Sequence, residues 1–125
     1  MSIRVELDEL RATAADQAPF AYLLTVSDDA TAHAVAITPD LGDGSITCEA
    51  GNRSCANARS RPNVSLLWPP ARPGDYSLIA DGRATVDGST IRIVPERAVR
   101  HRPAPAGGSD CAPVALEPKN LEPKN

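Results

Sequence analysis

The sequence predicts a mainly β domain with six short strands and two short helices, closed as a small barrel or sandwich. Short runs of β-branched and aliphatic residues recur along the chain, and turn signals separate them about every 8 to 12 residues. A length of 125 residues fits one domain that buries its own core without disulfide bonds or structural metal ions. Because aromatic residues make up only 3% of the chain, this core is expected to be aliphatic.

Each predicted strand is a short apolar or alternating run that ends at a turn signal. Asp87-Gly88 is a strong hairpin signal between the last two strands. Asp81-Gly82 predicts a bulge or kink inside the strand before that hairpin. The six predicted strands are residues 20–26, 32–37, 45–49, 63–68, 76–86 and 90–94.

Two helices are predicted outside these strands. Residues 2–17 carry apolar side chains at a spacing of three to four, which predicts a helix that ends before Pro19. Residues 52–60 predict a second short helix, which Pro62 ends. A single helical turn is predicted over residues 95–99.

The chain changes character after residue 102. Proline and glycine recur from Pro103 to Pro113, and the pentapeptide LEPKN occurs twice, at 116–120 and 121–125. Two five-residue copies are too few to build a repeat architecture. The sequence therefore predicts a folded domain over 1–102 and an irregular tail over 103–125 that is mobile or wrapped by a partner.

Composition excludes several classes of function. The net charge of −3 argues against nucleic acid as a partner, because duplex binding needs a basic face. No apolar run approaches the roughly 18 residues of a membrane span, and the first residues lack a secretion signal. The three cysteines, at 48, 55 and 111, lack the spacing of a zinc site and are expected to be free thiols. We therefore expect a cytoplasmic protein without a metal site.

Three segments resemble one protein family. LLTVSDDATAHAVAI is similar to a family hairpin, and YSLIADGRATV is similar to a family strand that contains Val-x-Gly-x-Ala. The most specific segment is GSITCEAGNRSCANARSRPNVSLLW, with a Gly-x-Arg, a short helix, a proline and then Val-Ser-Leu-Leu before an aromatic residue. On these segments, over roughly residues 5 to 100, the chain resembles the pyridoxamine 5′-phosphate oxidase-like, FMN-binding split β-barrel superfamily.

The resemblance implies a six-stranded split barrel that forms a homodimer and binds its cofactor in a groove between subunits. It implies a flavin- or deazaflavin-dependent oxidoreductase, with FMN or a deazaflavin as cofactor. The small reductases of the family are the better comparison, since the substrate-binding C-terminal segment of the true oxidases has no counterpart here. The cofactor would perform the hydride chemistry, so no catalytic side chain is assigned.

Position by position, the resemblance also implies a cofactor-binding set. Arg53 falls on the family's phosphate-binding arginine, at the start of the second predicted helix. Thr47 and Cys48 fall on a pair that touches the cofactor, and Ser77 falls on a polar position that faces the flavin. The full implied set is Asn52, Arg53, Ser54, Thr47, Cys48, Val35, Ala36, Ile37 and Ser77.

The chain departs from the oxidases at their other basic positions. Ser54 and Asp40 stand where the oxidases have lysines, and Val35 stands where they have an arginine. A phosphate dianion needs charge-assisted donors, so Arg53 would depend on the Ser54 hydroxyl and on the free N–H groups of the helix N-terminus. These departures favour an alternative, a cofactor-free member that acts as a binding or structural module. A further alternative is a haem-binding relative.

Other residues have competing interpretations. Arg53 itself would be an ordinary exposed arginine without the family block, and Arg59 suits the end of its helix dipole. His33, on the second predicted strand, either faces the groove or is an ordinary sheet residue. Trp68 either covers a ring-shaped ligand or fills the core or the dimer interface. Cys55 lies beside Arg53 near a helix N-terminus, a setting that lowers the pKa of a thiol.

Overall fold

The computed structural model describes residues 1–104, which form one antiparallel sheet that curls into a half-barrel. The helical segments are a 3₁₀ turn at Leu7–Glu9, α1 at Leu10–Ala15 and α2 at Asn52–Ser60. The strands are β1 Ser2–Val5, β2 Ala21–Val26, β3 Ala32–Ile37, β4 Asp40–Leu41, β5 Ile46–Glu49, β6 Asn63–Trp68, β7 Ser77–Asp87 and β8 Thr90–His101.

The strands lie in the order β3-β2-β6-β7-β8-β5-β4. β8 pairs with β7 along one edge and divides its other edge between two strands. The first part of β8 pairs with β5, with Ile93 opposite Ile46, and its last part pairs with β1, with His101 opposite Ser2. β3 pairs with β2 alone within residues 1–104, so it ends the sheet beside α2.

The predicted fold class is confirmed, and the sheet has two strands more than the six predicted. The single helix predicted over residues 2–17 is wrong for its first part. Ser2–Val5 is a strand because the end of β8 offers it an unpaired edge, and the α-helix covers Leu10–Ala15 only. The helical turn predicted over 95–99 is also wrong, because β8 runs unbroken through those residues.

The irregularity predicted at Asp81-Gly82 is present as a shift in register between β7 and β8, but the extra residue is Glu96 of β8 rather than a residue of β7. Gly82 lies opposite Pro95, and the two backbones approach closely there. A Cβ atom at Gly82 would lie 2.6 Å from the Val94 carbonyl oxygen and 2.7 Å from Cγ2 of Ile93. Only glycine fits without movement, and the irregular register accommodates a proline inside a strand.

The core lies on the concave face of the sheet and is aliphatic, as the composition predicts. Its fully buried side chains include Leu23, Leu66, Leu78, Ile91 and Ile93. Trp68 is only 2% exposed and packs in this core, which agrees with the core interpretation rather than with a ligand cover.

Two polar contacts fix the edges of this core. α2 packs on β2 and β7, and the Asn57 amide donates to the buried Thr25 hydroxyl over 3.1 Å. At the other end, the Gln17 side-chain amide lies 3.0 to 3.3 Å from the carbonyl oxygens of Trp68, Pro69 and Tyr76. One amide thus ties the end of β6 to the start of β7.

β8 ends at His101, and the domain boundary predicted at residue 102 stays a prediction. The predicted tail lies outside the described residues from position 105 onward, so its course stays a prediction. Among residues 1–104, no helix combines the length and the apolar character that a membrane crossing requires.

Candidate functional site

A groove of about 520 Å³ opens beside the free edge of β3. Its walls are β3, the end of β5, the first turn of α2 and the turn between β7 and β8. The residues that line it are His33, Val35, Ala36, Ile37, Glu49, Ala50, Gly51, Asn52, Arg53, Ser54 and Ser89.

The first turn of α2 presents free backbone donors to this groove. Gly51 precedes the helix in an extended conformation, and no side chain caps the helix there. The Cys55 N–H donates to the Gly51 carbonyl over 3.0 Å. The N–H groups of Asn52, Arg53 and Ser54 come too early in the helix to find intrahelical acceptors. Within residues 1–104 no other backbone acceptor pairs with them, so the turn is a ready site for an anion.

Among the described residues that line the groove, Arg53 is the only Lys or Arg. Its side chain is exposed, and it makes no ion pair or hydrogen bond within the described part of the chain. The next two arginines differ, because Arg59 donates to the Gly88 carbonyl over 3.3 Å and Arg61 binds Asp28 over 2.6 Å. The Arg53 guanidinium is therefore available to a ligand.

Ser54 lies deeper than its predicted role requires. The residue is 2% exposed, although it contributes to the groove wall. Its backbone N–H belongs to the uncapped first turn of α2. The candidate anion site thus contains one guanidinium and a helix N-terminus, with Ser54 in its wall.

Glu49 is a groove residue that the sequence reasoning missed. The Ser89 hydroxyl donates to its Oε1 over 2.7 Å, and the Thr90 hydroxyl donates to its Oε2 over 2.5 Å. Both hydrogen bonds lower the pKa of the Glu49 carboxyl, and the hydrogen bond from Thr90 has the larger effect. The available signal was its position, a charged residue at the end of the third predicted strand and shortly before the Gly-x-Arg segment.

The structure brings together six of the predicted site residues in the groove: Asn52, Arg53, Ser54, Val35, Ala36 and Ile37. Thr47, Cys48 and Ser77 do not line it. Thr47 lies between Asp40 and Arg92 in the sheet, and Ser77 lies opposite His101 at the far end of β7. Their contact with a cofactor stays a prediction.

The two described cysteines are buried free thiols. Burial is the largest of the causes that raise the pKa of the Cys48 thiol to about 11, and the charges of Cys55 and Glu49 raise it further. The Cys55 thiol donates to the Ala50 carbonyl oxygen over 3.6 Å. Within residues 1–104, no group of three or more His, Cys, Asp or Glu side chains is placed to hold a metal ion.

His33 is half-buried and faces the groove, beside Thr25 in the sheet register. A second groove of about 400 Å³ adjoins the first one and shares Ala36, Ile37 and Glu49 with it. Phe20 and Thr38 complete this second groove. The ring of Phe20 stands edge-on to that of Tyr22, with centroids 5.4 Å apart.

No protein-family model matches the chain. Two proteins described as uncharacterized, Mb0449c of Mycobacterium bovis and MT0457 of Mycobacterium tuberculosis, are each 42% identical to it over 118 residues. Each match covers 81% of this chain and 82% of the relative. The chain belongs to the family of these mycobacterial proteins.

Solved structures with a similar fold extend the comparison. A putative pyridoxamine 5′-phosphate oxidase from Listeria innocua has a TM-score of 0.63 at 21% identity, over 76% of this chain and 98% of that one. The FAD binding protein from Mycobacterium smegmatis has a TM-score of 0.60 at 17% identity, over 82% and 100%. An F420 reductase has a TM-score of 0.55 at 11% identity, over 68% and 90%. The chain shares the fold of these solved structures, which confirms the split β-barrel expected from the sequence.

Proposed function

We propose that the groove binds a flavin or a deazaflavin by its phosphate group, and that the chain is an oxidoreductase distinct from pyridoxamine phosphate oxidase. One observation carries the proposal. An arginine without a partner in the described chain and three free helix N–H groups converge on an open groove. Such a set of hydrogen-bond donors is typical of a phosphate-binding site.

The similar structures support the same ligand class. Their names give FAD binding for the Mycobacterium smegmatis protein and F420 reduction for another. FMN and the deazaflavin both remain candidates, because both combine a flat tricyclic ring with a phosphate.

The residues of the groove have separate tasks in this proposal. Arg53 and the first turn of α2 bind the phosphate and fix one end of the ligand. The β3 wall, with Val35, Ala36 and Ile37, offers small and apolar contacts for the ring. The bound cofactor supplies hydride transfer, while the protein supplies orientation and exclusion of water.

The second candidate function is a cofactor-free binding module. It is favoured by the presence of Glu49, a carboxylate, in the same groove as the single arginine. Losing the family's other basic contacts, each worth about 1.5 to 3 kcal/mol, would weaken phosphate binding strongly. The two candidates differ in one measurable quantity, the affinity for a flavin phosphate.

The test is a fluorescence titration of the protein with FMN, riboflavin and the deazaflavin. We expect Arg53→Ala to weaken FMN binding by about tenfold or more, since one charge-assisted contact is lost. Riboflavin, which has no phosphate, should bind both proteins alike. Arg59→Ala removes the same charge at the other end of α2 and is the matched control. Absence of binding by the unmodified protein at about 100 µM of either cofactor, a weak level for a cofactor, would leave the module as the better candidate.

We further propose that the protein acts in the cytoplasm as a homodimer whose partner borders the groove. An apolar row crosses the convex face of the sheet, with Ile79 opposite Leu67, Leu67 opposite Tyr22, and Tyr22 opposite Ala36. Tyr22 is 39% exposed, and the row ends in the groove wall at Ala36. A second copy on this row would bury it and extend the groove.

Sedimentation at micromolar concentration tests the dimer. The unmodified protein should sediment as a dimer, and Tyr22→Glu should sediment as a monomer because it places a charge in the apolar row. Ala12→Glu, on the exposed face of α1, is the control. A monomeric unmodified protein would contradict the proposal.

A further inference from the structure

Glu49 occupies the place where the two grooves meet. It lines the groove that contains Arg53, and it also lines the adjoining groove that contains Phe20. Arg53 borders only the first groove and Phe20 only the second. A ligand that extends from the anion site toward the aromatic ring therefore crosses a junction lined by Glu49, Ala36 and Ile37, of which Glu49 alone has a charged side chain.

The carboxylate is held in a fixed orientation. Each of its two oxygens accepts one hydrogen bond from a hydroxyl, Oε1 from Ser89 and Oε2 from Thr90. A carboxylate has about four acceptor sites, so these two bonds leave further lone pairs available. Because the hydrogen bonds lower the pKa of Glu49, the group is ionised at neutral pH and is an acceptor only.

The two ends of the combined groove differ in chemistry. One end offers positive charge and free N–H donors, which suit a phosphate. The other end offers the Phe20 ring and small apolar residues, which suit a flat ring. The segment between a ring and a phosphate in flavin nucleotides is a polyol chain, whose hydroxyls are hydrogen-bond donors.

We infer that Glu49 is a specificity-determining residue, which accepts a hydrogen bond from a hydroxyl of the chain that joins the ligand's ring to its phosphate. This inference rests on the proposed function and adds to it the part of the ligand that is recognised. A group that only accepts hydrogen bonds raises the affinity for a ligand chain with hydroxyl donors. It lowers the affinity for a chain that carries only carbonyl or further anionic groups. Glu49 would thereby select a polyol-linked ligand.

The experiment compares riboflavin, which carries the polyol chain, with lumiflavin, which has the same ring and a methyl group instead. Both are titrated by fluorescence into the unmodified protein, Glu49→Ala and Glu96→Ala. Glu96 is an exposed carboxylate outside both grooves, so its substitution controls for the change in net charge. Equal melting temperatures would show that the variants are folded.

We expect Glu49→Ala to weaken riboflavin binding about tenfold, as for loss of one hydrogen bond to a charged acceptor, and to leave lumiflavin binding unchanged. Glu96→Ala should change neither. Equal loss for both ligands would overturn the inference, because Glu49 would then act on the ring or on the groove as a whole. Unchanged riboflavin binding would also overturn it, while leaving the role of Arg53 intact. An unmodified protein that binds neither these two ligands nor FMN would instead remove the proposed function, and this inference with it.

Discussion

The two sides of the half-barrel are built in opposite ways. The closed side, made of β6, β7, β8 and Gln17, satisfies its polar groups internally and packs without free space at Gly82. The groove side, made of β3, the end of β5 and the start of α2, leaves an arginine and three N–H groups without partners in the described chain. Stability is thus concentrated on one side, and donors that a ligand can use are concentrated on the other.

This contrast has a physical reason. Buried polar groups must be paired because an unmet donor or acceptor costs free energy away from water. On the groove side Asn52 and Arg53 are exposed, so leaving their polar groups unpaired costs little in the free protein. Substitutions should therefore affect the free energy of unfolding mainly on the closed side and ligand affinity mainly on the groove side.

The same substitution at two glycines gives the largest expected difference. Gly82→Ala places a Cβ 2.6 Å from a backbone oxygen of β8, so the two strands must move apart. We expect a loss of about 3 kcal/mol in the free energy of unfolding, as for overpacking in a tight core. Gly51→Ala finds no atom within 4 Å and has a backbone φ of −76°, so it should cost about 1 kcal/mol or less as a changed N-cap.

Chemical denaturation of the two variants measures both values. Equal losses in the free energy of unfolding at the two positions would contradict the contrast between the sides, because the close packing at Gly82 would then add nothing to stability. A smaller loss at Gly51 than at Gly82 is the result that the structure requires.

The Gln17 amide gives the next largest effect. Gln17→Ala removes the donor that joins the ends of β6 and β7, and we expect a loss of about 2 kcal/mol in unfolding free energy. Gln17→Glu is the sharper variant, because an ionised carboxylate of the same shape repels carbonyl oxygens. Its destabilisation should exceed that of Gln17→Ala at pH 7 and decrease as acid protonates the carboxylate. A Gln17→Glu variant as stable as the unmodified protein would contradict this account.

Arg53→Ala is expected to have the smallest effect on stability. The side chain is exposed and has no partner within residues 1–104, so its loss should change the free energy of unfolding by less than about 0.5 kcal/mol. Thermal unfolding checks this value. A large destabilisation would mean that Arg53 is a structural residue. The groove side would then also contribute to stability, which contradicts the proposed contrast between the two sides.

Sequence reasoning was most accurate where local signals and tertiary packing agree. The helix Asn52–Ser60 and the strand Asn63–Trp68 have the predicted bounds, because Pro62 separates them and an apolar alternation follows. The irregularity at Gly82 was also predictable, because an Asp-Gly pair inside a strand is a local signal.

The errors arose where a distant partner decides the local structure. Val5, Leu7, Leu10 and Ala14 have helical spacing, yet Leu7 is 44% exposed and Val5 is buried in a strand. The edge of β8 that captures Ser2–Val5 is a tertiary feature, which no local pattern encodes. Pro95 suggested a break for the same reason, since the register shift that accommodates it forms only where β8 pairs with Asp81 and Gly82 of β7.

The site was predictable in part. The Gly-x-Arg segment identified the first turn of α2, and the hairpin identified β3, because both belong to contiguous sequence blocks. Glu49 was missed because its role depends on Ser89 and Thr90, which are distant in sequence and meet it only through the pairing of β5 with β8.

The position of β3 at the end of the sheet also sets how fast its backbone exchanges with solvent. One edge of this strand is bonded to β2, while its other edge borders the groove and has no strand partner within residues 1–104. Amide hydrogens on the free edge should exchange with deuterium far faster than those of β7, which has a neighbour on both sides. The hydrogen-exchange rate of the β3 amides therefore reports whether the groove is occupied. A ligand bound there should slow exchange in β3 more than in any other described strand.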